Sequence, residues 1–94
     1  NWTLHVADCR LAMAAMAEKS VHCVVSSPPY WGLRDYGIPP VDWADGERCV
    51  FGLEKTIQGY IRHTIEIFEG LRRVLRDDGV IWWNMGDSFI TGAG

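Results

Sequence analysis

Ser20-Val21-His22-Cys23-Val24-Val25-Ser26-Ser27-Pro28-Pro29-Tyr30-Trp31 is the stretch whose reading decides the fold. Val21 to Val25 is a short apolar run rich in β-branched residues, and it reads as a buried strand. Its apolar side chains fall on both faces, the pattern of a central parallel strand covered on two sides. The run stops at Pro28 and Pro29. Each proline fixes φ near about −65° and removes an amide donor, so the ladder must end there. The chain then enters a stiff turn with carbonyls but few donors, with Ser27 on one side and the rings of Tyr30 and Trp31 on the other. A prolyl carbonyl and a serine hydroxyl can both accept hydrogen bonds from an exocyclic amine, and a tyrosine face can stack on the ring that carries it. A purely structural turn is the plain alternative for the proline pair.

Working outward, Trp2 to Val6 alternates and predicts a first strand that ends at Ala7-Asp8-Cys9. Arg10 to Ala17 is rich in Ala, Leu and Met and predicts a helix, with Asp8 as its N-cap and Leu11, Ala14 and Ala15 facing inward. Strand, helix and strand in that order suggest a βαβ unit with a right-handed crossover. Pro28 to Lys55 shows no regular element. It is punctuated by Gly32, Gly37, Pro39, Pro40 and Gly46, and a loop of that length is usually functional. Thr56 caps a helix over Ile57 to Arg76, whose inward stripe is Ile57, Tyr60, Ile61, Thr64, Phe68, Leu71 and Leu75. Arg62 with Glu66 and Glu69 with Arg73 are i,i+4 pairs on its outer face. Gly79 is the expected C′ residue. Val80 to Met85 predicts a third strand, with Trp82 and Trp83 packing under helices on opposite faces. His5 and His22 fall within strands and His63 on the outer helix face, none with a partner at ligand spacing.

The strands end at Asp8, at Ser27-Pro28-Pro29-Tyr30 and at Asn84-Met85-Gly86-Asp87. In an open α/β sheet, ligands bind outside the carboxyl ends of parallel strands, so three polar segments converge on one edge. Each has a bland reading as a loop entry, a cap or a turn. Composition sets the bounds. The 94 residues make one small domain at most, 48% hydrophobic and 22% charged. A net charge of −3 argues against this segment gripping a phosphate backbone by itself. Cys9, Cys23 and Cys49 are odd in number and lack C-x-x-C spacing, so neither a disulfide framework nor a metal site is expected, and a cytoplasmic setting fits. No apolar run approaches the length of a membrane span. The chain begins without methionine and ends in Gly92-Ala93-Gly94, which reads as a fragment.

Ser27-Pro28-Pro29-Tyr30 resembles the S/D/N-P-P-Y/F motif of the amino-group DNA methyltransferases, in the Ser form typical of the cytosine-N4 branch. The resemblance continues through Trp31-Gly32-Leu33-Arg34-Asp35-Tyr36-Gly37, Phe51-Gly52-Leu53-Glu54, Arg72 to Gly79 and Asn84-Met85-Gly86-Asp87-Ser88. It covers nearly the whole chain, in the order of the permuted subgroup.

That resemblance implies a Rossmann-like, S-adenosylmethionine-dependent α/β fold, present in part as about three parallel strands and two main helices over residues 1–94. It implies methylation of cytosine N4 in double-stranded DNA by the full-length protein, through direct attack of a flipped-out base. It implies Ser27, Pro28, Pro29 and Tyr30 as catalytic, Asp8 near the cofactor, and Trp31, Arg34, Asp87 and Ser88 as substrate-binding. It also implies association with a restriction endonuclease system. Adenine N6 is the alternative target, a planar amine in protein or RNA a second, and a non-catalytic remnant a third. The sequence departs from the family in one respect. The F-x-G-x-G segment that cradles the methionine end of the cofactor is absent, Gly92-Ala93-Gly94 being only a G-x-G, and the DNA-reading region is missing too.

Overall fold

A computed structural model describes residues 1–33 and 35–86 of the chain. The elements are α1 (Cys9–Ala14), β1 (Val21–Ser26), β2 (Val41–Asp42), β3 (Arg48–Cys49), α2 (Ile57–Val74) and β4 (Leu75–Trp83). β1 and β4 pair in parallel, with Val24 opposite Ile81, Val25 opposite Trp82 and Ser26 opposite Trp83. The described chain is therefore a small α/β unit whose parallel pair is joined through α2.

Trp2 to Val6 does not form the expected strand. Trp2, Leu4 and Val6 are 87%, 74% and 92% exposed, and among the described residues no backbone hydrogen bond reaches this segment. Alternation supplies a face, but a strand exists only by its ladder. The βαβ unit expected over residues 2–26 is accordingly replaced by β1–α2–β4. Asp8 does cap α1, accepting from the Arg10 backbone N–H at 2.9 Å. The helix stops at Ala14, where Arg73 donates to the Met13 and Met16 carbonyls at 2.6 Å each. Those two bonds tie the end of α1 to α2.

Both arginine–glutamate pairs expected on α2 give way to tertiary partners. Glu66 accepts from Arg10 at 2.6 Å, Arg62 pairs with Asp45, and Arg73 closes α1. The buried face of α2 is also rotated from the expected stripe. It comprises Tyr60, His63, Thr64, Ile67, Leu71 and Val74, while Ile57 and Ile61 remain exposed. The helix turns toward Trp43 and Glu54, which draws His63 to 0% exposure. Hydropathy alone would place a histidine outside.

Helix α2 ends at Val74, before the expected Gly79, because Leu75 is extended and pairs with Val21. Residues 76–79 then bulge before Val80 rejoins the ladder opposite Cys23, and Arg76 is tied to Asp78 within the bulge. Segment 28–55 is less irregular than expected, since β2 and β3 form a short antiparallel hairpin. Trp43, in its link, enters the core with Met13, Ile67, Leu71 and Val74. Only one sheet face is covered among the described residues. Val24, Ile81 and Trp83 pack on that core, whereas Val25 and Trp82 are 79% and 66% exposed. Trp83 meets Phe68 edge-on at 4.7 Å, so of the two tryptophans only this one lies under a helix.

Candidate functional site

Ser27 leaves the carboxyl end of β1 beside Asn84, which leaves the same end of β4. The Asn84 backbone N–H donates to the Ser26 carbonyl at 2.9 Å and extends the ladder by one rung. The Asn84 side-chain amide then lies 3.4 Å from both the Ser27 hydroxyl and the Tyr30 phenol. Two residues on, Gly86 lies against Tyr30 so closely that a Cβ there would overlap the ring. The expected convergence of strand ends is therefore present for Ser27–Tyr30 and Asn84–Gly86. Asp87, Ser88 and Arg34, expected to bind substrate, lie outside the described residues, as does Gly92-Ala93-Gly94.

The proline carbonyls are not equivalent. Tyr60 donates its hydroxyl to the Pro29 carbonyl at 2.8 Å, while the Pro28 carbonyl accepts no hydrogen bond among the described residues. Ser27, Pro28 and Tyr30 line a pocket of about 190 Å³ with Leu33 and Tyr36. The first three are expected from the sequence, whereas nothing in it singles out Leu33 or Tyr36 by role. Trp31 is half-buried and donates its indole N–H to the Glu54 carbonyl at 2.9 Å, which anchors the loop. The Gly32 N–H donates to the Gly52 carbonyl at 2.7 Å. Gly52 has φ +98°, and a Cβ there would meet the Pro29 Cβ at 3.0 Å, so a side chain would both strain the backbone and push on the turn.

Asp8 is already engaged. Its carboxylate accepts from the Arg10 guanidinium at 2.7 Å, and that side-chain bond, against partial burial, holds it below the ordinary carboxylate range. Arg10 in turn stacks over Trp43, 4.0 Å from the ring centroid. A cofactor group reaching Asp8 would share it with Arg10. A second hollow, of about 470 Å³, runs from Cys9 and Met13 to Ser27 and Pro28, with Phe51 and Trp83 in its walls. The Trp83 indole N–H is buried and has no hydrogen-bond partner among the described residues. The mostly apolar walls would suit the adenosine part of S-adenosylmethionine. The hollow has no Lys or Arg in its lining among the described residues, so nothing there matches the methionine carboxylate.

Behind the turn lies a cluster that sequence reasoning missed. His63 Nδ1 is 2.7 Å from Glu54 and Nε2 is 2.9 Å from Asp45, with the ring stacked on Trp43 at 4.2 Å. The two ring nitrogens thus each face one carboxylate. The Glu47 backbone N–H, helped by Arg62 and His63 and opposed by desolvation, lowers the Asp45 carboxyl from 3.8 to about 2. Burial, with Glu54 and Glu47 nearby, pushes the Cys49 thiol up to about 12. Glu47, Cys49 and His63 bring three potential metal-ligand atoms within 4.8 Å of one another. The two His63 nitrogens are nevertheless already bonded to Glu54 and Asp45, so the cluster reads as a closed hydrogen-bond network. The i,i+3 placement of Tyr60 and His63 puts both on one face of α2, but no local signal in the sequence ties His63 to Glu54 or Asp45.

Fold and site together define an α/β unit that presents an acceptor-rich proline turn and a tyrosine ring at the carboxyl ends of two parallel strands. A family model described as DNA methylase matches residues 21–93. The chain belongs to the DNA methylase family. It is 42% identical to the Type II methyltransferase M.SmaI of Serratia marcescens over 87 residues, which are 93% of the chain and 27% of that protein. It is 41% identical to the Type II methyltransferase M.XycI of Xanthomonas campestris pv. cyanopsidis over 90 residues, 96% of the chain and 27% of the relative. For the Type II methyltransferase M.Cfr9I of Citrobacter freundii the identity is 39%, again over 96% of the chain and 27% of the relative. The chain thus spans about a quarter of the length of these proteins. No solved structure matches it. No helix among the described residues is long and apolar enough to cross a membrane.

Proposed function

We propose that the chain is the catalytic-motif part of a Rossmann-like, S-adenosylmethionine-dependent DNA methyltransferase. Its target is the exocyclic amine of a flipped-out base, cytosine N4 in the first place. The observation that carries this reading is the unequal pair of prolyl carbonyls. Tyr60 occupies that of Pro29, whereas the Pro28 carbonyl and the Ser27 hydroxyl remain as acceptors beside a pocket of about 190 Å³. A planar ring on Tyr30 would direct its two amine hydrogens to those two acceptors. Accepting both hydrogens turns the nitrogen lone pair away from the turn and increases its electron density. S-adenosylmethionine, when bound, supplies an electrophilic methyl group. Ser27 and Pro28 contribute mainly orientation and stabilisation of the charge that develops on the amine. No covalent bond to the protein is needed, so Cys9, Cys23 and Cys49 have no nucleophilic role.

The remaining assignments belong to the same proposal. Asp8 is assigned to the cofactor, and Trp31, Arg34, Asp87 and Ser88 are assigned to substrate binding. Double-stranded DNA is the substrate of the whole protein, and the designation of the relatives as Type II methyltransferases supports pairing with a restriction endonuclease. The decisive experiment is nucleoside analysis of DNA from cells that express the full-length gene. N4-methylcytosine is expected, falling at least about 100-fold in Ser27→Ala, the scale of losing one oriented partner of the reacting group. Appearance of N6-methyladenine would reassign the base. Unmodified DNA would leave the chain a non-catalytic member of its family.

A further inference from the structure

The Ser27–Tyr30 turn cannot hold its own position. Pro28 and Pro29 have no backbone N–H to donate, so every fixing bond must come from donors elsewhere or from the flanking residues. Asn84 supplies some of them from the end of β4, and two further lines of contact start on α2. In the first, Tyr60, 4% exposed and stacked on Phe51 at 5.1 Å, donates to the Pro29 carbonyl at 2.8 Å. In the second, His63 holds Glu54 Oε2 at 2.7 Å, and Glu54 Oε1 accepts from the Gly52 N–H at 3.0 Å. The same loop accepts from the turn's far side, from Trp31 through the Glu54 carbonyl at 2.9 Å and from Gly32 through the Gly52 carbonyl at 2.7 Å. Tyr60 and His63 are three residues apart on one helix face, so a single rigid element reaches the turn before and after Tyr30.

We infer that Tyr60 and the Glu54–His63 pair are positioning residues that set the Ser27–Pro28–Tyr30 acceptors in register for the amine, an inference that rests on the proposed methyl transfer. Engaging the Pro29 carbonyl fixes the peptide plane next to Pro28 and leaves one prolyl acceptor in the pocket. None of the three residues lines that pocket, and each acts through the turn. Burial, with Glu54 and Tyr30 nearby, raises the Tyr60 phenol, which keeps it a donor at neutral pH.

Tyr60→Phe in the full-length enzyme removes one hydroxyl and leaves the ring stack. A fall of about tenfold in the single-turnover rate of methyl transfer is expected, the scale of one hydrogen bond. KM for DNA and for S-adenosylmethionine should stay within about twofold, because no binding group is lost. His63→Gln, which retains one donor toward Glu54, should fall between wild type and His63→Ala. An active wild type with an unchanged Tyr60→Phe rate overturns the inference while leaving the function standing. Amide hydrogen exchange at Gly32 decides the matter even if the wild type transfers no methyl group. Exchange at that amide, bonded to the Gly52 carbonyl, should be several-fold faster in Tyr60→Phe and in His63→Gln. Unaltered protection in both variants overturns the inference.

Discussion

The Ser27–Tyr30 turn and the His63 cluster face each other across the Phe51–Glu54 loop, and they treat polar groups in opposite ways. Around His63 both ring nitrogens, both Glu54 oxygens and the Asp45 carboxylate have partners. In the turn, the Pro28 carbonyl accepts nothing among the described residues, and Ser27 has only the long 3.4 Å contact to Asn84. A buried polar group without a partner is costly, so a fully bonded cluster belongs to the scaffold. Acceptors left open beside a pocket are available to a ligand. Residue type alone would have ranked the two regions the other way, since a Glu–His–Asp set suggests catalysis more readily than two prolines and a serine.

The largest effect that tests this contrast is His63→Leu. It leaves Glu54 buried without its imidazole, and a loss of about 3–5 kcal/mol in unfolding free energy is expected from denaturant melts of the full-length protein. Pairing it with Glu54→Gln, which removes the stranded charge, should recover part of that loss. A single variant as stable as wild type would mean that the cluster is not a closed structural unit. Gly86→Ala should act on the other region, because its new methyl group must displace the Tyr30 ring. A stability loss of about 1–2 kcal/mol is expected, with a disproportionate fall in methyl transfer. A catalytic rate that follows stability alone would count against the role of Tyr30. The smallest effect is in acid. The Asp45 carboxyl is lowered from 3.8 to about 2, so its contribution is fully present above 3.8 and is lost as pH falls toward 2. Wild type and Asp45→Asn should therefore differ in stability at neutral pH and converge through that window, as followed by pH-dependent melting.

The apolar run Val21–Val25, the proline stop, the Thr56 and Asp8 caps and the apolar pattern from Val80 onward are legible in the sequence because each depends on near neighbours. Trp2–Val6 misleads because its alternation finds no partner strand among the described residues. The α2 stripe is displaced because Trp43 and Glu54, from a segment with no periodicity, decide which face turns inward. Tyr60 carries no local signal that it reaches Pro29, 31 positions away, and His63 none that it meets Asp45, 18 positions away.

By itself the sequence determined a stiff acceptor turn at the end of an apolar strand, since proline chemistry and β-branched patterning act within a few residues. Only the tertiary structure decided which prolyl carbonyl stays open and which side chains hold the turn in place. Those outcomes depend on donors that the chain must fold to deliver, Tyr60 from α2 and Asn84 from the end of β4, to a segment whose own backbone has almost none.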